Sequence, residues 1–197
     1  MPDDSGDIKM KKQLIRQIQN YTPANAQEET DRKTLLAFLD SGDDISVRQN
    51  LVAHLTASAW VVTPDRKKVL MAYHKLYDSW AWLGGHADGN WDLLAVAEKE
   101  AREESGITAL VPVSCEPVSL EVLTVNGHEK KGNYVPCHLH LNLTYLFEAD
   151  ECQCLQIKPD ENSGVSWINM DTLAQNCSEP WFVERIYSKL VKKAKSM

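Results

Sequence analysis

Residues 82–107 read WLGGHADGNWDLLAVAEKEAREESGI. The stretch opens on a paired glycine, Gly84 and Gly85, and closes on three carboxylates, Glu100, Glu103 and Glu104, followed by Gly106. On a helix, positions i, i+3 and i+4 share a face, so these carboxylates converge about one turn apart instead of spreading round the cylinder. Like charges held so close repel and cost helix stability unless a cation sits among them. Hard oxygen ligands gathered at one point suit Mg²⁺ or Mn²⁺ better than Zn²⁺. The flanks fit the same device: Asp92 predicts an N-cap for a helix with an apolar stripe of Leu94, Ala97 and Ala101, and Gly106 followed by Ile107 predicts a glycine-terminated C-cap. Gly84 and Gly85 let the backbone come close to a ligand, and a glycine carbonyl can join a metal shell. An ordinary solvated helix face would account for EKEAREE by itself, but not for glycines placed on both sides of it.

At these residues the segment resembles the Nudix box, the signature of Nudix hydrolases: a glycine, five residues, a glutamate, seven residues, then REUxEExGU with U apolar. Gly85, Glu100, Ala101, Glu103, Glu104, Gly106 and Ile107 fall on it in register. Two positions depart, with Trp91 in place of the first glutamate and Lys99 in place of the arginine. A lysine is a point charge and cannot make the forked contacts of a guanidinium. The resemblance implies an α/β fold, a Nudix-type α/β/α sandwich with a mixed β-sheet. It also implies that Glu100 and Glu104 are metal ligands, that Glu103 is a further ligand or the base that takes the water's proton, and that Gly85 offers its carbonyl. Glu103 and Glu100 are then the catalytic residues, and Trp91 is grouped with the substrate contacts.

Length and charge bound the remainder. A chain of 197 residues suffices for one well-buried catalytic domain with an appended segment. A net charge of -7 and a pI near 5.4 argue against a nucleic-acid polymer or an anionic membrane as partner. A small anionic substrate stays compatible with that charge, because a bound cation reverses the sign locally. The opening MPDDSGDIKM has no apolar core, so no secretory signal is expected, and no apolar run reaches membrane-spanning length. Cysteines 115, 137, 152, 154 and 177 are odd in number and lack paired CxxC spacing, as expected of reduced thiols in a cytoplasmic protein.

In chain order, Ile8, Leu14, Ile15 and Ile18 lie near one side of a basic helix over residues 8–20, and a second helix fits Ala26–Leu39. Residues 1–50 form an N-terminal helical extension ahead of a Nudix domain at 51–197. Whether these helices pack on the domain, make a homodimer or cover the site is left open by the sequence. From His54 the period becomes two: HLTASAWVV and KVLMAYH predict strands, as do residues 108–113 and 118–123. In HLHLNLTYLF, His138, His140, Asn142 and Thr144 point one way and Leu139, Leu141, Leu143 and Tyr145 the other. A polar face on a central strand needs partners or a cleft, and this face is expected to line the active site. Glu161, six positions before Trp167, resembles the additional acid of many Nudix proteins, as a metal ligand or base, with a plain surface glutamate as the alternative. Ser178 and Pro180 predict the start of a last helix, to Ser196, with Phe182, Ile186 and Leu190 facing inward.

His54, His86, His138 and His140 fall near the expected cleft as substrate contacts or metal ligands, with hydrogen-bonded structural histidines as the alternative. HLTASAWVV with GGHAD is also similar, more weakly, to isopentenyl diphosphate isomerases, but Gly84 stands where that family has its catalytic cysteine. The expected activity is Mg²⁺- or Mn²⁺-dependent hydrolysis of a phosphoanhydride in a nucleoside diphosphate derivative or related small molecule. The competing expectations are a nucleotide-binding module that no longer cleaves and, behind it, an isomerase-like enzyme.

Overall fold

The computed structural model describes residues 4–75, 78–130 and 132–197. Met1–Asp3, the first part of the acidic opening read above, lie outside the described residues. Helices α1 (Asp4–Asn20) and α2 (Ala26–Asp40) come first, and ten strands follow among the described residues. Eight strands make one sheet: β1 (Ala53–Val62), β2 (Lys68–His74), β3 (Ser79–Ala81), β4 (Leu83–His86), β5 (Val111–Pro112), β6 (Ser119–Val125), β9 (His138–Glu148) and β10 (Asn162–Asn169). Its order is β10-β2-β1-β9-β5, with β3 also on β2, β4 on β1 and β6 on β9. Strands β7 (His128–Lys130) and β8 (Asn133–Val135) form a separate antiparallel pair.

The sheet is mixed. Strands β1, β10 and β3 run antiparallel to β2. By contrast, the Leu139 N–H donates to Val52 O and, ten residues further along both chains, the Ala149 N–H donates to Val62 O, so β1 and β9 advance in step and lie parallel. Strand β1 is buried along its whole length. Its alternation therefore separates a polar file, His54, Thr56 and Ser58, from an apolar one, and neither file faces water. The strand expected at 108–113 is reduced to Val111–Pro112, since proline has no N–H to donate to a ladder.

The chain divides into two compact units. The first comprises the chain up to Ala57 with Gly85–Val96 and Ser119–Leu143, and the second comprises Ser58–Gly84, Ala97–Val118 and Thr144–Met197. In the first unit, Leu14 and Ile18 of α1 and Leu35 and Leu39 of α2 are buried, whereas Ile8, expected on the same stripe, is exposed a full two turns earlier. Asn25 caps α2 by accepting the Glu28 N–H at 2.9 Å. Glu28 is fully buried yet well served: Ala24 N–H at 2.6 Å, Tyr21 O–H at 2.8 Å and Ser119 O–H at 3.0 Å all reach its carboxyl. A polar chain continues from Ser119 through Glu121 and Asn142 to Thr56, with Asn142 Nδ2 donating to Glu121 at 3.2 Å and Thr56 O–H donating to Asn142 at 3.0 Å. Asn142, on the β9 face expected to line the active site, is bonded to Glu121 and Thr56 within the unit.

In the second unit Trp60 and Tyr187 stack at 5.4 Å, and Trp82 meets Tyr187 edge-on at 5.6 Å. The C-terminal helix is not continuous. A first turn, Pro180–Phe182, passes through a π-helical turn, Val183–Tyr187, into Ser188–Ser196, and Ile186 and Leu190 are buried as expected. Ser178 does not cap it: the Ser178 hydroxyl donates to Asp78 O at 3.0 Å and its N–H to Ser79 Oγ at 3.0 Å, leaving Glu179 at the cap position without a side-chain bond. No helix among the described residues is long and apolar enough to cross a membrane.

Candidate active site

Helix α3 (Leu93–Ser105) carries the carboxylates. Asp92 begins it as expected, accepting the Ala95 N–H at 3.1 Å. The buried stripe is Leu93, Val96, Ala97 and Ala101; Leu94, expected on it, is only half-buried, because the turn set by Asp92 points Leu93 inward first. At the far end Gly106 has φ +74 and its N–H donates to Arg102 O at 2.9 Å. A Cβ there would also lie 2.8 Å from Gln156 Cβ, so the cap excludes a side chain on two grounds. Ile107 is buried directly behind it.

Glu100, Glu103 and Glu104 of α3 sit in unlike environments. Glu103 is exposed, Glu100 is half-buried and Glu104 is 6% exposed. Glu104 accepts the Gly84 N–H at 3.1 Å, and its own backbone carbonyl accepts Asn162 Nδ2 at 2.9 Å. Burial pushes the Glu104 carboxyl up to about 8; the Gly84 N–H opposes this, while the negative charges of Glu161 and Glu100 add to it and the Lys158 ammonium opposes it. Glu161 thus belongs to the same electrostatic cluster as the α3 carboxylates. Two lysines lie among them. Lys99 Nζ reaches Glu100 at 3.0 Å and Glu103 at 3.2 Å, and Lys158 Nζ reaches Glu161 at 3.0 Å and Glu103 at 3.6 Å. The bond to Glu100 holds Lys99 above the usual lysine range. Burial pulls Lys158 down, and the Glu161, Glu100 and Glu103 carboxylates more than reverse it.

Lys99 therefore does something a forked guanidinium need not: a single point charge bridges two carboxylates one turn apart. Sequence reasoning missed Lys158, Asn162 and the Gly84 N–H. The helical period of α3 says nothing of groups that reach it from β4, from the segment before β10 and from the first residue of β10.

The first unit gathers the histidines. His54 stands on β1, His86 ends β4, and His138 and His140 begin β9. Ring centroids lie 4.8 Å apart for His54 and His138, 5.0 Å for His54 and His140, 5.1 Å for His54 and His86, and 5.0 Å for His86 and His140. Parallel pairing brings them together: Leu139 N–H on Val52 O places the start of β9 beside the start of β1, and the period of two puts His54, His138 and His140 on one face. Burial, followed by the charges of its neighbouring histidines, pushes His140 down to about 2, and burial also lowers His54. Both rings are neutral at ordinary pH. Trp91, grouped above with the substrate contacts, has Lys11 of α1 over its ring at 5.1 Å, which occupies part of that surface with a cation–π contact.

Solved structures share the fold. A C. elegans Ap4A hydrolase, in a binary complex, is 16% identical and superposes with a TM-score of 0.50 over 73% of this chain and 98% of that one. RenU, a Nudix hydrolase from M. smegmatis, is 17% identical with a TM-score of 0.52 over 73% and 87%. The E. coli dihydroneopterin triphosphate pyrophosphohydrolase is 15% identical with a TM-score of 0.50 over 70% and 94%. No curated protein matches the chain. The family model of the NUDIX domain matches residues 52–190, most of the chain and all of the segment carrying the glutamates, and the chain belongs to the Nudix hydrolase family.

Proposed function

We propose that this enzyme hydrolyses a phosphoanhydride bond in a nucleoside diphosphate derivative or a similar small pyrophosphate, with Mg²⁺ or Mn²⁺ held by Glu100, Glu103, Glu104 and Glu161. The observation that carries this reading is Glu104, a buried carboxyl pressed by the negative charge of Glu100 and Glu161. Such a cluster accumulates oxygen donors beyond what Lys99 and Lys158 neutralise, and it fits a hard divalent cation. When bound, the cation neutralises phosphate oxygens and lowers the pKa of a coordinated water.

The side chains divide the remaining work. Glu104, fixed by the Gly84 N–H and anchored through Asn162, is a rigid ligand. Glu100 is the second ligand on the same face. Glu103, the exposed member, paired with Lys99 and Lys158, would take the proton of the attacking water or join the ligands. Glu161 would join the shell from outside α3, and Lys158, paired with Glu161 and Glu103, would be the cation available to a substrate phosphate. Two of the structural neighbours are named for hydrolysing phosphoanhydrides, an Ap4A hydrolase and a dihydroneopterin triphosphate pyrophosphohydrolase, which supports the bond class.

Lys99 favours a second reading, because an internal cation bridging Glu100 and Glu103 occupies part of the site. In that reading the domain binds a nucleotide and does not cleave it. Phosphate release across a panel of dinucleotides and nucleotide sugars, with Mg²⁺, with Mn²⁺ and in excess chelator, separates the two. Metal-dependent turnover supports the hydrolase, whereas saturable binding without turnover supports the module. Turnover undiminished in chelator would refute the metal mechanism.

A further inference from the structure

We propose that His54, His138 and His140, with His86 beside them, form a second metal site that takes a borderline-soft ion of the Zn²⁺ class and is chemically distinct from the carboxylate cluster. The candidate ligand nitrogens of His54, His138 and His140 all lie within 4.8 Å of one another. The inference does not rest on the hydrolase reading, since no glutamate of α3 takes part in it.

The hydrogen bonds fix the tautomers. His54 Nδ1 lies 3.0 Å from Asn50 O, and His138 Nδ1 lies 2.8 Å from Pro136 O. A carbonyl can only accept, so in each ring Nδ1 carries the proton and Nε2 is left with its lone pair. This is the usual support of a metal-ligating histidine, whose far nitrogen donates to a backbone carbonyl. Of these two lone pairs, the one on His54 has no alternative partner. His54 is 4% exposed and its Nε2 is buried without a hydrogen-bond partner, a costly state for a polar atom. His138 Nε2 lies 3.2 Å from His140 Nε2 and, without an ion, accepts a hydrogen bond from it. Two nitrogens on one tetrahedral ion, with bonds of about 2.0–2.1 Å, stand roughly 3.3 Å apart, so this pair is already spaced as two ligands.

Donor chemistry selects the ion. The cluster is imidazole alone, a set that suits Zn²⁺, Co²⁺ or Ni²⁺ and offers Mg²⁺ or Mn²⁺ none of the oxygen they require. His86 is half-buried and borders the three, 5.1 Å from His54 and 5.0 Å from His140 between ring centroids, outside the set whose ligand nitrogens lie within 4.8 Å of one another.

The test is a Zn²⁺ titration of the chelator-stripped full chain by calorimetry in a large excess of Mg²⁺, which fills the carboxylate cluster. The expected result is one equivalent of Zn²⁺ bound, with an affinity at least about 100-fold lower in His54→Ala and His140→Ala, ligand loss costing at least as much as loss of an outer partner. Cys152→Ser/Cys154→Ser should bind as the wild type does. Co²⁺ in place of Zn²⁺ should give visible d–d absorption that both histidine variants lose. Should His54→Ala fail to fold, His140→Ala carries the test, checked by a cooperative melt whose Tm Zn²⁺ no longer raises. The proposal is overturned if Zn²⁺ is not bound against Mg²⁺, if the cysteine variant loses it, or if the histidine variants retain it. It is equally overturned if pyrophosphate alone binds the stripped protein and loses that affinity in the same variants, for the histidines would then be direct anion contacts.

Discussion

The glutamates of α3 and the histidines of β1, β4 and β9 are both convergent clusters, yet they are assembled and charged in opposite ways. The glutamates come from one helix turn, and their mutual repulsion is met by Lys99 and Lys158, which join three of the four acids into one chain of ion pairs. The histidines come from three strands that are distant in sequence, and they avoid repulsion by staying neutral. A helix brings like charges together whether or not the fold needs them, and a cation must then compensate. A sheet brings neutral rings together only where register permits, and what is left over is a set of lone pairs. The first arrangement selects a hard ion and the second a softer one.

The largest expected effect separates the clusters by function. Glu103→Gln and Glu104→Gln should each lower metal-dependent turnover by at least about 100-fold, since each removes a charge from the metal shell with little change of shape. Both should still bind Zn²⁺ with wild-type stoichiometry. Wild-type turnover in either variant would remove the α3 carboxylates from the mechanism, and loss of Zn²⁺ binding in either would merge the two sites.

Much of this contrast was legible in the sequence, and the part that was not has a physical reason. Glu100, Glu103, Glu104, Asp92 and Gly106 obey one local period, so the helix, its caps and its acidic face follow from the stretch itself. His138 and His140 obey a period of two and were placed on one face for the same reason. Their meeting with His54 depends on the parallel pairing of β1 with β9, which no local pattern encodes. Lys158 and Glu28 were passed over because each acquires its role from partners far along the chain, Glu103 in one case and Ser119 in the other. The Ser178 cap failed because Asp78 and Ser79 compete for the same side chain and N–H.

A middle-sized effect reads the two clusters through pH. In chelator-stripped protein the Glu104 carboxyl is raised from 4.5 to about 8, so its contribution to stability is complete below 4.5 and is lost as pH rises through about 8. His140 is lowered from 6.5 to about 2, so its contribution is present above 6.5 and is lost as pH falls below that value. Glu104→Gln keeps an acceptor for the Gly84 N–H and carries no charge. Its Tm should match wild type near pH 4 and exceed it by several degrees near pH 9, each kcal/mol being worth roughly 2–4 °C in a chain of this size. His140→Ala should flatten the acid side of the profile and leave the alkaline side unchanged. Parallel profiles for wild type and Glu104→Gln would show that Glu104 is not the strained group.

The smallest effect concerns Lys99, the cation that the α3 cluster needs and the histidine cluster does not. Its ammonium is largely exposed, and its ion pairs to Glu100 and Glu103 lie where water screens them. Exposed pairs of this kind contribute about 0.2–1 kcal/mol, so in the absence of metal Lys99→Ala should lower stability by no more than that. With metal the sign of its role changes. A divalent cation among the same carboxylates makes Lys99 a competing charge, so Lys99→Ala should bind Mg²⁺ more tightly than wild type, by a few-fold, while becoming slightly less stable without it. Lys99→Arg restores the charge and adds the fork, and it should recover the lost stability without the gain in affinity. Titration of Mg²⁺ against both variants decides the matter: weaker Mg²⁺ binding in Lys99→Ala would show that the lysine organises the carboxylates for the ion and does not stand in its place.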